Sequence, residues 1–583
     1  MHRHHLPEEK PLNYDPRLFK RMLLYARPYA RPLIISLLLS LFVTVLQLAQ
    51  PYVLKIAIDD YILGPGSLQE LQRLGLLFLS IYVTGLILYY FQFNLLMQTG
   101  QRIIYDIRQD LFAHLQRLSI SFFDNNPVGR LVTRLTNDPE TLNEMYTSFL
   151  VDLFKDVFLL IGIVAIMLYM HFVLAMVTFS VFPLILLAVL IYRKKALPAY
   201  RELRKQLARI NTFFAENIAG IRIIQVFGQE KNRSSLFDEV NMSHLSASMR
   251  EIKIFAVFRP FMDLLRSLAL ALLLWYGSGQ VLADVIPFGV LYAFTNYVDQ
   301  FFRPINDISE KYNVLQAATA SSERIFQLMD EKEDIKSPEK PLPEAEGGGS
   351  VEFRNVWFAY ENENWVLKNV SFSIAPGEKV AVVGPTGAGK STLINLINRF
   401  YDVQKGEILF NGVDIRKQDL RELRQQVGVI HQDVFLFSGT IRENITLNAI
   451  FLPQEKLDQI CRAANAYEFI QKLPRKYETF LGERGVALST GQRQLLAFAR
   501  LLAFNPKVFI FDEATAHIDT YTEKLLQDSI QYAAKERTSI IIAHRFSTIK
   551  TAGRIFLIRR GEFAEIDDFS TLHTNFHHYF SHV

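Results

Sequence analysis

Gly384-Pro385-Thr386-Gly387-Ala388-Gly389-Lys390-Ser391 is the stretch on which the reading of this chain turns, because it fits Gly-x-x-x-x-Gly-Lys-Ser. It follows the apolar run Val380-Ala381-Val382-Val383 and precedes Thr392-Leu393-Ile394-Asn395-Leu396-Ile397, which has few helix breakers. That order predicts a strand, a phosphate-cradling loop and a helix whose amino end faces an anion. The glycines let the backbone close around phosphate, and successive amides point inward. Lys390 brings a positive charge to the β- and γ-phosphates, and the Ser391 hydroxyl is a ligand for Mg²⁺. Gly384 through Thr392 are therefore candidate contacts for a nucleoside triphosphate.

Outward from this loop, composition divides the chain. Of 583 residues half are hydrophobic, 13 % are aromatic and only 21 % are charged, and the mean hydropathy is positive, +0.12. Such values exceed those of soluble proteins and point to segments that never face water. A net charge of +4 leaves no electrostatic footprint for nucleic acid, and the one cysteine, Cys461, excludes an internal disulfide and a cysteine metal cluster. The amino end, Met1-His2-Arg3-His4-His5, leads into a polar stretch; no removable signal peptide is expected, so the first span directs insertion itself.

No residue is charged from Pro32 to Leu54 or from Leu74 to Gln101, and each run exceeds the roughly 20 residues a helix needs to cross hydrocarbon. Between Val157 and Tyr192 only His171 interrupts, predicting a hairpin of spans three and four. Spans five (roughly 255–282) and six (roughly 287–308) carry charges, among them Asp263, Arg266, Asp299 and Arg303. Basic residues Arg17, Lys20, Arg21, Arg27 and Arg31 precede span one while an acidic loop, Asp59-Asp60, follows it, which places the amino terminus in the cytoplasm. The long charged connections (102–148 and 193–253) then extend into the cytoplasm as helices. Each is expected to hold a short crosswise helix, at Ser121–Arg130 and at Phe213–Ile221.

Asp152, Lys155 and Asp156, and the pairs Asp263/Arg266 and Asp299/Arg303, fall at i, i+3 and i+4 spacings, as expected of ion pairs within single helices or of a polar cavity lining. Span six also carries Phe294, Tyr297 and Phe301, which suit either hydrophobic cargo or ordinary packing in lipid. The domains predicted are a cytoplasmic amino-terminal segment (1–31), a six-helix transmembrane domain with two intracellular loops (32–328), a linker (329–350) and a soluble α/β phosphate-loop ATPase domain (351–583).

The soluble part holds further chemistry. Lys507-Val508-Phe509-Ile510-Phe511-Asp512-Glu513 reads as a buried strand ending in two carboxylates, Asp512 for the Mg²⁺ shell and Glu513 to polarise an attacking water. Ser539-Ile540-Ile541-Ile542-Ala543-His544 is a second apolar strand, ending in a histidine within reach of the γ-phosphate or the water. With Gln432 in Ile430-His431-Gln432-Asp433 and the pentapeptide Leu488-Ser489-Thr490-Gly491-Gln492, these motifs stand in the order and spacing of an ATP-binding cassette.

With six preceding spans the chain resembles, over essentially its whole length, a half-transporter of the ABC exporter type. The resemblance implies that Tyr360 stacks on adenine, and that Gln432 senses Mg²⁺ and contacts the membrane half. It implies that Ser489 and Gly491, with Gln492, close over the γ-phosphate of an opposite subunit, and that Asp519 links the two sites. Phe123-Asp124 and Glu216-Asn217 lie where such proteins have coupling helices. Glu513 and His544 are the implied catalytic residues, ATP and Mg²⁺ the implied ligands, and a bacterial cytoplasmic membrane the implied location.

Physics also favours two chains, because a phosphate loop open on one side leaves the γ-phosphate in water, and the separate helix beginning at Ser489 has free amides to cap it. One position departs from the family pattern: Thr490 stands where Leu-Ser-Gly-Gly-Gln has glycine. A side chain there, with Glu513 and His544 intact, resembles the catalytic half of a heterodimeric multidrug exporter; drift in a homodimer is the alternative. Cargo is expected to be a hydrophobic small molecule or a lipid. A lipid-A or phospholipid flippase stands as the second reading, and an ATP-binding regulatory or channel-like protein without turnover as the third.

Overall fold

The computed structural model describes residues 16–566 except 66, 307, 344–346, 362, 483–484, 486–487, 513–519, 536, 543–548 and 550–551. The chain divides into two compact units, one formed by residues 1–116 and 128–331, the other by 117–127 and 332–583.

The first unit is helical. It runs through α1 (Pro16–Ala26), a 3₁₀ turn (Arg27–Tyr29), α2 (Ala30–Ile56), a π-helical segment (Ala57–Ile62) and α3 (Leu68–Leu115). The short α4 (Ile120–Asn125) falls in the second unit. Then come α5 (Val128–Glu144), α6 (Leu150–Met170), α7 (Phe172–Phe179), α8 (Phe182–Ala219), α9 (Ile221–Val226), α10 (Glu230–Leu282), α11 (Phe288–Asn306) and α12 (Ile308–Met329). By length and composition, three continuous helical stretches among the described residues can cross a membrane: Lys20–Ile62, Leu68–Leu115 and Phe172–Ala219. The spans read at positions three, five and six fall on α6, α10 and α11.

Local chemistry sets the breaks. His171 ends α6 in an extended conformation and its ring accepts a hydrogen bond from the Leu174 amide at 3.1 Å, so one side chain closes a helix and opens the next. Ser67 and Glu70 form a reciprocal capping box at the start of α3. The core joins α2, α6, α7, α8, α10 and α11 through Leu48, Ile163, Leu174, Ile185, Leu265, Leu273, Phe294 and Phe302. In its middle the buried Tyr297 hydroxyl donates to the Leu48 carbonyl at 2.7 Å; a polar atom in hydrocarbon has few other partners, which makes the bond specific.

Two expectations for this unit change. The ion pairs run between helices, not within them: Arg266 of α10 meets Asp299 of α11 at 3.3 Å, and Lys311 of α12 pairs with Asp156 of α6. Packing of α10 against α11 brings Arg266 and Asp299 together across the gap between the helices, where both side chains stay roughly half exposed. The second short helix also falls later than expected. Phe213 to Ala219 continue α8, the break comes at Gly220, and the short piece is α9.

The second unit is α/β. An antiparallel sheet in the order β2 (Trp365–Ile374), β1 (Val351–Ala359), β4 (Lys405–Phe410), β5 (Val413–Asp414) lies beside a six-stranded sheet. The larger sheet has the order β12 (Glu562–Ile566), β11 (Arg554–Arg559), β3 (Lys379–Val383), β10 (Thr538–Ile542), β9 (Val508–Asp512), β6 (Val427–Ile430); all its pairs are parallel except β11–β12. The parallel strands are buried on both faces, so their sequences are continuous apolar runs. The helices are α13 (Lys390–Ile397), α14 (Leu420–Gln426), α15 (Ile441–Thr446), α16 (Gln454–Ala463), α17 (Tyr467–Gln471), α18 (Thr490–Phe504) and α19 (Thr520–Ala533). A two-stranded ribbon pairs β7 (Gly439–Thr440) with β8 (Phe480–Leu481). Cys461 lies in the core of this unit, where burial pushes its thiol up to about 12. In register, Ile542 pairs with both Val382 and Asp512, so the carboxyl ends of β3, β10 and β9 stand level.

Candidate nucleotide site

At that level edge the chain leaves β3 into the phosphate loop. A Cβ on Gly384 would lie 2.3 Å from the Ile558 carbonyl of β11, so glycine is required for the loop to pass its neighbour. Gly389 adopts φ +106°, a left-handed conformation, and precedes α13 with no side-chain cap on the helix. The first-turn amides of α13 thus keep their capacity for an external anion.

Lys390 is nearly buried, and its Nζ donates to the Gly384 carbonyl at 2.7 Å and the Pro385 carbonyl at 3.0 Å. The loop is wrapped around its own ammonium group, which stands where the phosphates of a nucleotide would draw it outward. Thr386, Gly387 and Ser391 are exposed on the open side; Ala388 and Thr392 are buried beneath.

Tyr360, at the end of β1, lies over this helix start. Its hydroxyl donates to Thr392 Oγ1 at 3.2 Å and accepts from Asn395 Nδ2 at 3.2 Å, while its ring stays 45 % exposed. An aromatic face tethered by its edge and open to solvent is a stacking platform. The rings of Phe358 and Tyr401 meet it edge-on, at 4.9 and 5.1 Å between centroids. Tyr401 in turn donates its hydroxyl to Asp124 of α4; burial first, then this carboxylate, raise the phenol above its ordinary range. Reading the sequence for motifs missed Tyr401 and Asn395. The available signal was the aromatic pair Phe400-Tyr401 directly after the helix that follows the loop.

Asp512 closes β9 at the same edge as the loop, half-buried. Gln432 follows β6, on the far side of β9, and is exposed. Beside it, His431, Asp433 and Phe435 help line a cavity of about 690 Å³ with Arg424 and Arg500. Arg500 donates to the Asn444 carbonyl at 2.8 Å, and burial lowers its guanidinium pKa.

The Ser489 region belongs to a different element. Ser489 caps α18: its Oγ accepts from the Gln492 amide at 3.2 Å and the Gln492 side chain accepts from the Ser489 amide at 3.0 Å. A serine oxygen that accepts in this way still holds its own proton for donation to a further group. Ser489 and Thr490 are exposed, Gly491 is buried, and Thr490 Oγ1 accepts from Arg493 at 3.2 Å. Glu513, Asp519 and His544 lie outside the described residues.

The structure thus brings together Gly384 to Thr392, Tyr360 and Asp512 around one strand edge and helix start, with Ser489, Gly491 and Gln492 at a second helix start. For Mg²⁺ the donor set is chemically apt, since the exposed Ser391 hydroxyl and the Asp512 carboxylate are hard oxygen ligands.

Known proteins carry the same plan. A family model described as "ABC transporter transmembrane region" matches residues 33–305, and one described as "ABC transporter" matches residues 367–516. The "Probable multidrug resistance ABC transporter ATP-binding/permease protein YheH" of Bacillus subtilis is 38% identical over 494 residues, covering 84% of this chain and 72% of that protein. The "ATP-dependent lipid A-core flippase" of Syntrophus aciditrophicus is 34% identical over 555 residues, covering 95% and 92%. A solved structure described as "a bacterial Atm1-family ABC exporter with ATP bound" superposes with a TM-score of 0.76 at 26% identity, covering 94% of this chain and 96% of that one. This chain belongs to the ABC transporter family, as an exporter that carries its transmembrane region and its ATP-binding cassette in one polypeptide.

Proposed function

We propose that the chain is one half of a heterodimeric exporter in the cytoplasmic membrane that uses ATP to move hydrophobic or amphipathic small molecules out of the cell. The observation that carries the dimer is the exposed, self-capped start of α18. Ser489 has a hydroxyl proton to give, and a γ-phosphate held on another chain's loop is the anion that suits it. Two chains placed head to tail complete two such sites.

In this reading Tyr360 takes the adenine face and the amides of α13 take the phosphates. Lys390 Nζ exchanges two loop carbonyls for phosphate oxygens, a stronger, charge-assisted pairing. Ser391, Asp512 and Gln432 are the residues that would hold Mg²⁺, which when bound supplies positive charge to the β- and γ-phosphates. Glu513 polarises the attacking water and His544 orients the reacting groups. Hydrolysis then leaves like-charged products between the chains and weakens the closed state. Basic residues just before α2 and in its first turn, including Arg27 and Arg31, support an amino terminus and cassette in the cytoplasm.

The heterodimer rests on Thr490, whose exposed side chain stands at the start of the α18 face offered to the partner's nucleotide. The chain purified with its co-expressed neighbours and reconstituted in vesicles is expected to accumulate a fluorescent amphipathic cation with ATP, and to stop doing so with Glu513→Gln. Accumulation unaffected by that change sinks the role of Glu513. A chain that alone forms a dimer with two equal, active sites sinks the heterodimer. The similarity to the lipid A-core flippase favours a second reading, a lipid cargo, which flipping of a labelled phospholipid in the same vesicles tests.

A further inference from the structure

Helix α1, with the 3₁₀ turn and the first residues of α2 that follow it, has two faces with different chemistry. The inner one grips the rest of the first unit. Arg21 makes a two-point ion pair with Asp330 (2.5 and 2.9 Å) and lies 4.3 Å over the Phe326 ring. Tyr25 donates to Asp110 at 3.0 Å and touches the Met329 sulfur; Tyr29 donates to Asp106 at 2.8 Å; and the Met22 carbonyl accepts from Tyr146 at 2.7 Å. Three of these partners, Phe326, Met329 and Asp330, are the last turn of α12 and the residue after it, just before the chain passes into the second unit at residue 332.

The outer face is a single stripe. Lys20, Leu23, Leu24, Arg27 and Arg31 recur at helical spacing and all are exposed, the two leucines at 45 % and 52 %. Beyond Arg31 the stripe continues as Ile34, Ile35, Leu38 and Phe42, exposed and wholly apolar on α2, a membrane-crossing helix. The basic part therefore ends where the lipid-facing part begins, which sets Lys20, Arg27 and Arg31 at the depth of phospholipid headgroups. Leucine interleaved with lysine and arginine on one face, at that depth, matches an anionic surface with an acyl layer beneath it.

We propose that the Lys20/Leu23/Leu24/Arg27/Arg31 stripe binds anionic phospholipid headgroups, and that its occupancy sets how firmly the opposite face of α1 holds the end of α12, so that ATP turnover depends on anionic lipid. The link to α12 through Arg21 and Tyr25 makes the binding more than anchorage. A lipid that pulls α1 to the surface acts through Arg21 and Tyr25 on the segment that joins the two units.

The test uses the full chain, with any subunit that co-purifies, in nanodiscs of phosphatidylcholine alone or with roughly a third phosphatidylglycerol. With phosphatidylglycerol, backbone amides of residues 20–31 and 323–330 are expected to exchange more slowly and ATP turnover to rise roughly two- to fivefold, both effects fading in high salt. The triple change Lys20→Gln, Arg27→Gln, Arg31→Gln is expected to abolish both responses, and the charge-keeping Lys20→Arg, Arg27→Lys, Arg31→Lys to retain them. Arg21→Gln is expected to keep the protection of residues 20–31 and lose the rise in turnover. Equal exchange in the two lipids, or a full response in the triple glutamine variant, overturns the proposal. Lipid-dependent exchange with no ATP turnover in either lipid overturns the proposed export function and the link to turnover, and leaves the lipid site standing.

Discussion

Helices α13 and α18 begin in the same unit with different solutions to one problem, and α14 supplies the closed reference for both. Every helix start leaves amides without intrahelical partners and carries about half a positive charge. At α14 the Asp419 carboxylate accepts from the amides of Arg421 and Glu422 at 2.9 and 3.1 Å, so the site is filled by the chain's own anion. At α18 a neutral hydroxyl from Ser489 takes one amide and keeps a proton to donate. At α13 Gly389 offers no cap at all. The three starts run from closed, through half-open, to open, and the residue at the cap position decides which. On the proposed reading, phosphate belongs at the open start, and the half-open start adds a contact to a phosphate held on another chain's loop.

The largest effect is expected at the open end. Lys390→Ala removes the cation that the loop is wrapped around, and ATP hydrolysis should fall by two orders of magnitude or more. Affinity for a fluorescent ATP analogue should weaken in parallel; a variant that hydrolyses normally breaks the assignment of α13 as the triphosphate site.

A step down, Ser489→Asp turns the half-open start into a copy of α14. The cap survives, because a carboxylate serves the Gln492 amide as well as a hydroxyl does, and so thermal stability should change little. Hydrolysis should nonetheless drop roughly 10- to 100-fold, since a negative charge now faces the partner's γ-phosphate, while nucleotide binding to the chain's own loop persists. Ser489→Ala separates the terms: it loses the cap, at about 1 kcal/mol, together with the donor. Equal losses of binding and hydrolysis in Ser489→Asp would show that α18 acts on its own loop and not across a dimer.

Thr490→Gly sharpens the same contrast more gently. Removing the exposed side chain and its contact with Arg493 should raise total ATP turnover roughly two- to threefold if Thr490 crowds a partner's nucleotide, as measured on the co-purified complex. No change favours drift in a homodimer.

How far these features were legible depends on whether they are local. The phosphate loop, the strand ending at Asp512 and the pentapeptide at Ser489 are runs of neighbours, and their order alone places them on strand, loop and helix. The capping box at Ser489 was not read, although Ser-x-x-Gln is local enough to show it. What joins distant residues was not legible. Arg266 and Asp299 each had a nearer partner of opposite charge in sequence, so spacing suggested the wrong pairs. The hydroxyl link from Tyr401 to Asp124 spans 277 positions, and no periodicity predicts it. The break at Gly220 was misplaced because Phe213 to Ala219 holds no glycine or proline to stop α8, and only Gly220 interrupts it.

The smallest effect is expected at the closed start and carries a sign that the other two lack. The amide of Glu422, with Ser337 and the amide of Arg421, holds the Asp419 carboxyl below the usual carboxylate range. A group whose folded pKa is depressed contributes stability that is complete above its unfolded value, about 3.9, and is lost as pH falls through the lower folded value. Asp419→Asn keeps an oxygen for the amides but discards the charge, so local protection of the α14 amides should fall by a fewfold factor at neutral pH. The ratio of exchange rates between variant and parent, taken at each pH over residues 421–424, should hold steady from pH 7 to about 5 and shrink toward unity as pH falls below the unfolded value of about 3.9. A ratio that instead grows on acidification would mean that Asp419 gains a proton more readily when folded. In that case the filled state of α14 owes nothing to charge, and the ranking of the three helix starts by electrostatics fails at its best-paired member.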